Sequence, residues 1–468
     1  MINFYKISKY LLYLAPFAVV IVSTSTLFPF IVGKYTFFKV VIELALIAFV
    51  LGWGLSSNYK LPAISYKLFK RPLVIAVTLF VAIFTLSGFT GVNPSASFWS
   101  NFERGEGSFL LLHFYAYFIL LISLLKEKKD WTRFFGVAIA SGVLVMLYGV
   151  MAASGATGFV GNGWCDRFAG SLGNPAYIGT FSIFMLFYVA YLLVSGKWRS
   201  ANWQTWALPL LVILFMFFSA FLLLSQTRGG LFGLGVGIIS SLVYSAFTLP
   251  STKWRRIVIG FAVGFILLGI IGINFRQYID LAPWCKGGGN RILDVSLGGE
   301  TINTRFALWT QAIEAWKESP KTMLIGWGPE NFSIAFEKYY NPIHKVWFDR
   351  AHNIFFDYLV FSGILGLFSF IGMFAVFFWQ LFIIKSEKRS ETLDPKNYQQ
   401  NMKAMIEASD KNLQSILQRA LILGLPIAYL MQGLVLFDVL PIYINLFLFL
   451  AFATWKLESQ NDAKSYAK

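Results

Sequence analysis

The sequence has little charge for its length and few of the residues that bind metals or form disulfides. Only 13% of the 468 residues are charged, and the chain has 3 histidines and 2 cysteines. It contains no Cys/His spacing typical of a metal site and no Asp-x-Asp pair, so we predict no metal and no cofactor. Hydrophobic residues make up 57% of the chain, more than a soluble protein can bury. The composition therefore indicates a multi-pass membrane protein.

Twelve apolar stretches are long enough to cross a bilayer, which takes about 20 residues per helix. They lie at 10–31, 35–56, 72–90, 108–125, 134–152, 176–195, 206–225, 231–248, 257–275, 353–384, 420–437 and 439–455. We predict an all-α, polytopic fold in which residues 1–468 form a single integral-membrane domain. The first stretch lacks a small-residue cleavage site, so we expect an uncleaved anchor.

Basic residues are unequally divided between the two sets of alternate loops. Most lysines and arginines lie in the set that includes both termini and the charged stretch 385–419. The positive-inside rule places this set, with both termini, in the cytoplasm. The net charge of +16 is thus explained by topology, and we predict a lipid bilayer and no nucleic acid among the partners. The stretch 385–419 is interpreted as a solvated linker or a partner surface.

The opposite, outer set contains one large external loop, 276–351. Leu308, Ala312 and Trp316 recur there at helical spacing after Asn303, which predicts an amphipathic helix. Such a helix would lie flat on the membrane or cap the bundle.

Both cysteines fall in predicted outer loops. Cys165 lies in the loop 153–175, and Cys285 lies in the large external loop. An oxidising compartment permits a disulfide between them, and two free thiols are the alternative.

Four arginines lie in these outer loops, where the positive-inside rule disfavours them. They are Arg104 in FWSNFERGEG, Arg167 in CDRFAGSLGNP, Arg228 in SQTRGG and Arg305 in INTRFALW. A guanidinium group binds phosphate oxygens in a bidentate manner, and neighbouring glycines let the backbone approach a ligand. Together the arginines predict a phosphate or diphosphate site. The alternative is that each pairs with a nearby acid, such as Glu106, or with lipid headgroups.

One of the three histidines is placed for chemistry. His352, in WFDRAHNIFFDYLV, lies where the external loop enters a predicted span, so it is accessible from outside. A neutral imidazole there could accept a proton from an attacking hydroxyl, and an interfacial helix cap is the alternative. His113 lies within a span and is expected to be packed and hydrogen-bonded. His344 is expected at a polar surface.

Six strings in order resemble the O-antigen ligase and O-antigen polymerase family of bacterial integral-membrane glycan transferases. They are FWSNFERGEG, RFAGSLGNPAYIG, SQTRGG, TRFALWTQA, IGWGPENF and DRAHNIFFDYLVFSG, within residues 85–370. The resemblance implies a glycosyltransferase of lipopolysaccharide and cell-envelope biosynthesis. Its donor would be a glycan on undecaprenyl diphosphate, and transfer would occur on the outer, periplasmic face of the bacterial cytoplasmic (inner) membrane.

The same resemblance implies roles for individual residues. His352 matches the proposed catalytic base, and Arg228 and Arg305 match arginines assigned to the donor diphosphate. Arg104 and Arg167 match motif arginines whose roles in donor binding are less defined. The sequence departs from the usual pattern in having TRGG in place of SRG. A single displacement at the donor sugar, inverting and metal-independent, would follow.

Several functions share these motifs. An O-antigen ligase-like activity is our first expectation, and an O-antigen polymerase or a protein O-oligosaccharyltransferase is the alternative. The acceptor would accordingly be a glycolipid, another glycan or a protein. A lipid-linked glycan transporter or flippase is the alternative from a different class, and it would require ionisable residues along the spans. Because few such residues occur, a transferase is favoured.

Overall fold

The computed structural model describes residues 3–55, 68–101, 104–163, 166–196, 204–274, 300–383 and 398–465. Within these ranges the backbone forms sixteen α-helices and no strand, so the predicted all-α class is confirmed. The helices are α1 (Phe4–Leu12), α2 (Val32–Gly54), α3 (Pro72–Thr90), α4 (Pro94–Trp99), α5 (Ser108–Leu124), α6 (Lys128–Ala153), α7 (Pro175–Ser195), α8 (Gln204–Leu224), α9 (Arg228–Thr248), α10 (Thr252–Asn274), α11 (Glu300–Trp316), α12 (Pro320–Ile325), α13 (Phe332–Lys338), α14 (Ile354–Ile383), α15 (Tyr398–Gly433) and α16 (Leu440–Ser465).

The long helices have the length and composition of membrane spans. Ten helices of the described ranges are long and apolar enough to cross a bilayer, and α5 is a shorter apolar helix of 17 residues. These helices correspond to the predicted spans from the second onward, so the polytopic architecture is confirmed. The placement of both termini in the cytoplasm stays a prediction.

The predicted first span, 10–31, is wrong, because this stretch is not a continuous helix. The helix α1 ends early, and a short 3-10 helix and an irregular segment follow it. Pro16 lacks the amide hydrogen that a helix interior needs, and the serines and threonines after it compete for backbone hydrogen bonds. Polar side chains compensate the irregular backbone: the hydroxyl of Ser171 donates to the carbonyl of Val19 at 2.8 Å.

The helix α14, predicted as one span over 353–384, is interrupted at Gly363. Gly363 has φ of +61°, and an added Cβ would come within 2.4 Å of the backbone of Leu324, so the position requires glycine. The interruption leaves the carbonyl of Phe361 to accept a hydrogen bond from the N–H of Gly328 at 2.9 Å. The loop after α12 is thereby fixed against α14.

The amphipathic helix expected after Asn303 is present as α11. Leu308 and Ala312 on its apolar face are buried, and the helix packs on α13 and α14. The apolar face of α11 is therefore covered by other helices, and the placement of α11 relative to the membrane stays a prediction. Residues 276–299 of the predicted external loop and 385–397 of the predicted cytoplasmic stretch lie outside the described residues.

Small residues set the position of α9. A Cβ on Gly233 would lie 2.5 Å from the carbonyl oxygen of Ala428, and one on Gly237 would lie 2.7 Å from that of Gly424. Such contacts allow two membrane helices to approach closely. The first turn of α9, which begins with Arg228, is consequently held beside the end of α15.

Candidate functional site

The loops predicted to lie outside meet at one end of the bundle, which we call the site face. It comprises the C-terminal end of α3 and the N-terminal ends of α5, α7, α9, α14 and α16. Hydrogen bonds join Arg104 to Asp349 and Leu440 to Glu106, across 245 and 334 residues of sequence. The fold therefore reproduces the predicted alternation of loops, while the outward orientation of this face stays a prediction.

A buried arginine, Arg350, connects separate segments of the site face. Its side chain is only 6% exposed, and its Nη2 donates to Glu106 at 3.0 Å and also to Glu330. The second carboxylate oxygen of Glu106 accepts from the N–H of Leu440 at 3.1 Å, and that of Glu330 accepts from the hydroxyl of Ser100 at 2.9 Å. We call Arg350, Glu106 and Glu330 the arginine clamp.

Electrostatics keep the guanidinium group of Arg350 charged. Burial by itself would lower the pKa of Arg350, but the charges of Glu330 and Glu106 hold that pKa well above its usual value. The guanidinium group is therefore protonated at every physiological pH. A buried charge of this kind is tolerated only while its partners remain in place.

Arg104 forms a second ion pair, with Asp349. Its Nε and Nη2 donate to the two carboxylate oxygens at 2.5 and 2.8 Å, in the bidentate geometry typical of strong guanidinium pairs. Burial would raise the pKa of Asp349, but the hydrogen bond from Arg104 and the charge of Arg350 hold it below its usual value. Arg104 thus pairs with an acid that is distant in the sequence. Glu106, the acid near Arg104 in the sequence, pairs with Arg350 instead.

His352 lies two residues after Arg350 in the sequence. It adopts a left-handed backbone conformation, with φ of +55°, and its ring packs edge-on against Phe348 and Phe437 at 5.3 and 5.0 Å. Its Nδ1 lies 3.2 Å from the carbonyl oxygen of Arg350. Because a carbonyl can only accept, Nδ1 carries the hydrogen of this bond. The neutral tautomer then has its lone pair on Nε2, as a general base requires.

The surroundings keep His352 neutral. Burial lowers its pKa to about 4, the hydrogen bond to the Arg350 carbonyl opposes this shift, and the charge of Arg305 adds to it. The imidazole is therefore unprotonated, and competent as a base, at any pH well above 4. A diphosphate bound nearby would favour the imidazolium and would ease proton transfer during the reaction.

This pKa predicts an unusual pH profile. As pH falls from 8 to 5, kcat/KM for the donor should stay level, and it should decline only as pH approaches about 4, where His352 of the free enzyme becomes protonated. Initial rates at limiting donor across this range provide the test. A decline centred near 6.5, the ordinary value for histidine, would contradict the inferred environment.

Arg305 lies on α11, beside residues 349–353, which we call the histidine loop because they include His352. The indole N–H of Trp309, one turn further along α11, donates to the carbonyl of Ala351 at 3.1 Å, and its ring stacks on Phe356. The helix is thereby fixed to the residue before His352. Arg305 is partly buried and near enough for its charge to act on the His352 ring.

Arg167 and Arg228 form a second group, at the start of α9. Arg167 donates from Nε to the carbonyl of Ser225 at 3.1 Å and from Nη2 to the hydroxyl of Thr227 at 3.2 Å. Arg228 is the exposed first residue of α9. Its charge adds to the positive end of the helix dipole, an arrangement suited to anions.

The segment between α15 and α16 separates the two groups. On one side, a Cβ on Gly229 would lie 2.5 Å from Val435, and on the other the amide of Asn353 donates to the carbonyl of Leu434 at 3.0 Å. Phe437 of the same segment contacts both His352 and Arg104. The start of α9 and the histidine loop thus flank one short segment.

The other candidates are placed as follows. His113 is buried and pairs with Glu43 at 2.9 Å, as expected for a packed histidine. His344 is also buried, with its Nε2 2.8 Å from Gln311, and this differs from the surface position predicted for it. Cys165 and Cys285, the candidate disulfide, lie outside the described residues. Among the residues described, no group of three or more His, Cys, Asp or Glu side chains is arranged to hold a metal.

Fold and site together define a multi-pass helical membrane protein with a histidine and arginine site at one end of its bundle. Residues 211–371 match the family model described as O-Antigen ligase, so the resemblance seen in the motifs is confirmed. The matched range contains Arg228, Arg305 and His352.

A curated relative also matches. The chain is 24% identical over 261 residues to the "General O-oligosaccharyltransferase" of Acinetobacter baylyi (strain ATCC 33305 / BD413 / ADP1). The alignment covers 54% of this chain and 44% of the relative, so the chain spans less than half the length of that protein. The chain is thus similar to an O-antigen ligase family model over residues 211–371 and to an O-oligosaccharyltransferase over 261 residues.

Proposed function

We propose that this protein transfers a glycan from undecaprenyl diphosphate to an acceptor hydroxyl, on the outer face of the cytoplasmic membrane, as an O-antigen ligase-like enzyme. The observation that carries the proposal is a neutral His352, with its hydrogen on Nδ1 and its lone pair on Nε2, beside Arg305. Both residues lie at one end of a bundle of membrane-length helices. The family match over residues 211–371 supports the same chemistry.

The proposed reaction is one displacement at the anomeric carbon. His352 Nε2 removes the proton of the acceptor hydroxyl while the oxygen forms a bond to that carbon. The bond from the carbon to the diphosphate oxygen breaks, and its electron pair leaves with the diphosphate. Arg228 and Arg305 stabilise the charge that develops there, and Arg167 adds to the field. Arg104, held by Asp349, is proposed to position Phe437 and the histidine loop at the edge of the donor site.

Lysine substitutions test the diphosphate site. Arg228→Lys and Arg305→Lys keep the positive charge but lose the planar pair of donors, so both should lower the transfer rate at limiting donor, and alanine should lower it further. An arginine that only contacts lipid headgroups would tolerate lysine. Initial rates at varied donor concentration in nanodiscs decide between the two roles, with thermal unfolding as the check on folding. Wild-type rates for both lysine variants would contradict the proposed role of Arg228 and Arg305 in binding the donor diphosphate.

Chelation tests the role of arginine as the neutralising charge. Transfer should continue at an unchanged rate in EDTA, because permanent guanidinium charges stabilise the leaving diphosphate. The measurement is the initial rate before and after dialysis against chelator. Loss of activity that magnesium or manganese restores would contradict the scheme.

The acceptor hydroxyl could belong to one of three classes of molecule: a glycolipid such as the lipid A core, another glycan, or a protein. We propose ligation to a glycolipid or surface glycan first. The name of the Acinetobacter relative describes oligosaccharide transfer to oxygen, which supports O-glycosidic transfer in each of these cases and makes protein glycosylation the second candidate. Supplying each acceptor class with the same donor distinguishes them.

Transport of a lipid-linked glycan is the competing class. Glu43, Lys39 and Asp357 are ionisable residues within the predicted spans, and each has a local partner. Glu43 pairs with His113, Lys39 lies over the ring of Tyr35, and Asp357 accepts from the N–H of Ala351 at 2.7 Å. Such engaged side chains do not form a polar pathway.

The test is whether the purified protein releases undecaprenyl diphosphate. We expect release only when donor and acceptor are both supplied. Movement of the intact donor between leaflets, without release, would support transport and overturn the proposed function.

A further inference from the structure

A depression lies on the site face beside the histidine loop, formed by α13 and the residues that follow it. Its volume is about 530 Å³, within the range of small-molecule sites. Trp347 and Tyr340 line it and are 51% and 55% exposed, while Glu337 and Lys345 contribute polar groups at the same place. The mechanism proposed above uses none of these four residues.

The aromatic rings are anchored through their polar atoms. The indole N–H of Trp347 donates to Glu337 at 3.3 Å, and the hydroxyl of Tyr340 donates to the carbonyl of His344 at 3.0 Å. Anchoring at these atoms restricts each ring to one orientation while half of its surface stays uncovered. A rigid, exposed aromatic face is suited to a ligand that has both an apolar and a polar side.

The depression is connected to the proposed base through two aromatic side chains. The ring of Phe348 contacts His344, which lines the depression, at 5.5 Å and His352 at 5.3 Å. A molecule seated there would be separated from His352 by the rings of His344 and Phe348.

We propose that this depression binds a pyranose ring of the glycan chain involved in transfer, an inference that rests on the proposed function. A pyranose presents a face of polarised C–H groups that packs on the negative face of an aromatic ring, and its hydroxyls lie at the rim. Trp347 and Tyr340 supply the stacking surfaces, and Glu337 and Lys345 bind hydroxyl groups. The sugar belongs either to the donor glycan or to a glycan acceptor.

Kinetics of ring-removal variants test the site. Trp347→Ala and Tyr340→Ala should each raise KM about tenfold, the factor that corresponds to roughly 1.4 kcal/mol of lost binding, with kcat changed less than twofold. A rise in the donor KM assigns the sugar to the donor, and a rise in the acceptor KM assigns it to the acceptor. Trp347→Phe should restore most of the affinity. Trp99→Ala, which removes an indole that is 62% exposed on α4, is the matched control and should leave both KM values unchanged.

Binding without turnover separates this inference from the proposed function. The probes are the free oligosaccharide released from the native donor by mild acid and the free acceptor glycan, each observed by saturation-transfer NMR. Wild type and the inactive His352→Asn variant should both bind the glycan of the substrate whose KM rises in the alanine variants, and Trp347→Ala and Tyr340→Ala should not. Equal binding by the alanine variants would overturn the inference. So would KM changes that follow the lipid composition of the nanodisc, since they would identify Trp347 as a membrane anchor. Failure of the wild type to release undecaprenyl diphosphate would instead count against the proposed function.

Discussion

Replacing His352 with asparagine should reduce glycan transfer by at least about a hundredfold, the contribution typical of a general base. Asparagine is the informative choice because His352 has φ of +55°, a conformation that asparagine tolerates and alanine does not favour. The variant keeps the backbone of the loop and removes the proton acceptor. The measurement is the initial rate of transfer in nanodiscs at matched protein levels.

Comparison of His352→Asn with His352→Ala separates the base from the backbone. Both variants should lose transfer, and only alanine should also lower the unfolding temperature slightly. Added imidazole should restore part of the rate to either variant, because it supplies the missing base. An asparagine variant that keeps half or more of the wild-type rate would exclude His352 from the essential chemistry.

Replacing Arg350 with glutamine should produce the largest loss of stability. The change leaves the carboxylates of Glu106 and Glu330 buried without their shared cation, and removing one partner of a buried pair costs about 3–5 kcal/mol. Transfer should fall as well, because the Arg350 side chain fixes the backbone whose carbonyl orients the His352 ring, and without its contacts to Glu106 and Glu330 that backbone loses its support. The free energy of unfolding in detergent and kcat are the two quantities to measure.

A more exposed ion pair provides the control for Arg350. Arg71 pairs with Glu458, and the two side chains are 29% and 14% exposed. Arg71→Gln should therefore cost less than about 1 kcal/mol and leave transfer intact. Similar losses of unfolding free energy in the Arg350 and Arg71 variants would show that burial does not increase the contribution of the arginine clamp to stability.

The membrane spans were predictable because each depends on local hydropathy. Each predicted span from the second onward overlaps a helix, although α6 begins before its span, α15 begins at Tyr398 instead of 420, and α16 continues to Ser465. The larger errors lie where polar backbone is satisfied by tertiary contacts. The stretch 10–31 is apolar enough for a span, yet its irregular backbone is stabilised by a hydrogen bond from Ser171, which hydropathy cannot reveal. Similarly, the interruption at Gly363 depends on contact with Leu324, on another helix.

The site was predictable only in part. His352 was predicted from its position where a loop enters a span, and the four arginines were predicted from their positive charge in loops expected to lie outside. The arginine clamp was missed, although Arg350 and Glu330 lie within the strings that carry the family resemblance. The pairing of Arg350 with Glu106 spans 244 residues, and no local pattern encodes such a contact. In the sequence, Glu106 was recognised only as an acid near the loop arginines, and its pairing with Arg350 was not predicted.

The anomeric configuration of the product tests the central claim most directly. One displacement, with His352 as base and the diphosphate as leaving group, requires that the new glycosidic bond be opposite in configuration to the bond in the donor. NMR of the product formed by the purified protein, compared with the donor of known configuration, gives the answer. Inversion is the result expected from this site. Retention would require a second displacement through a glycosyl-enzyme intermediate and would contradict the proposed mechanism.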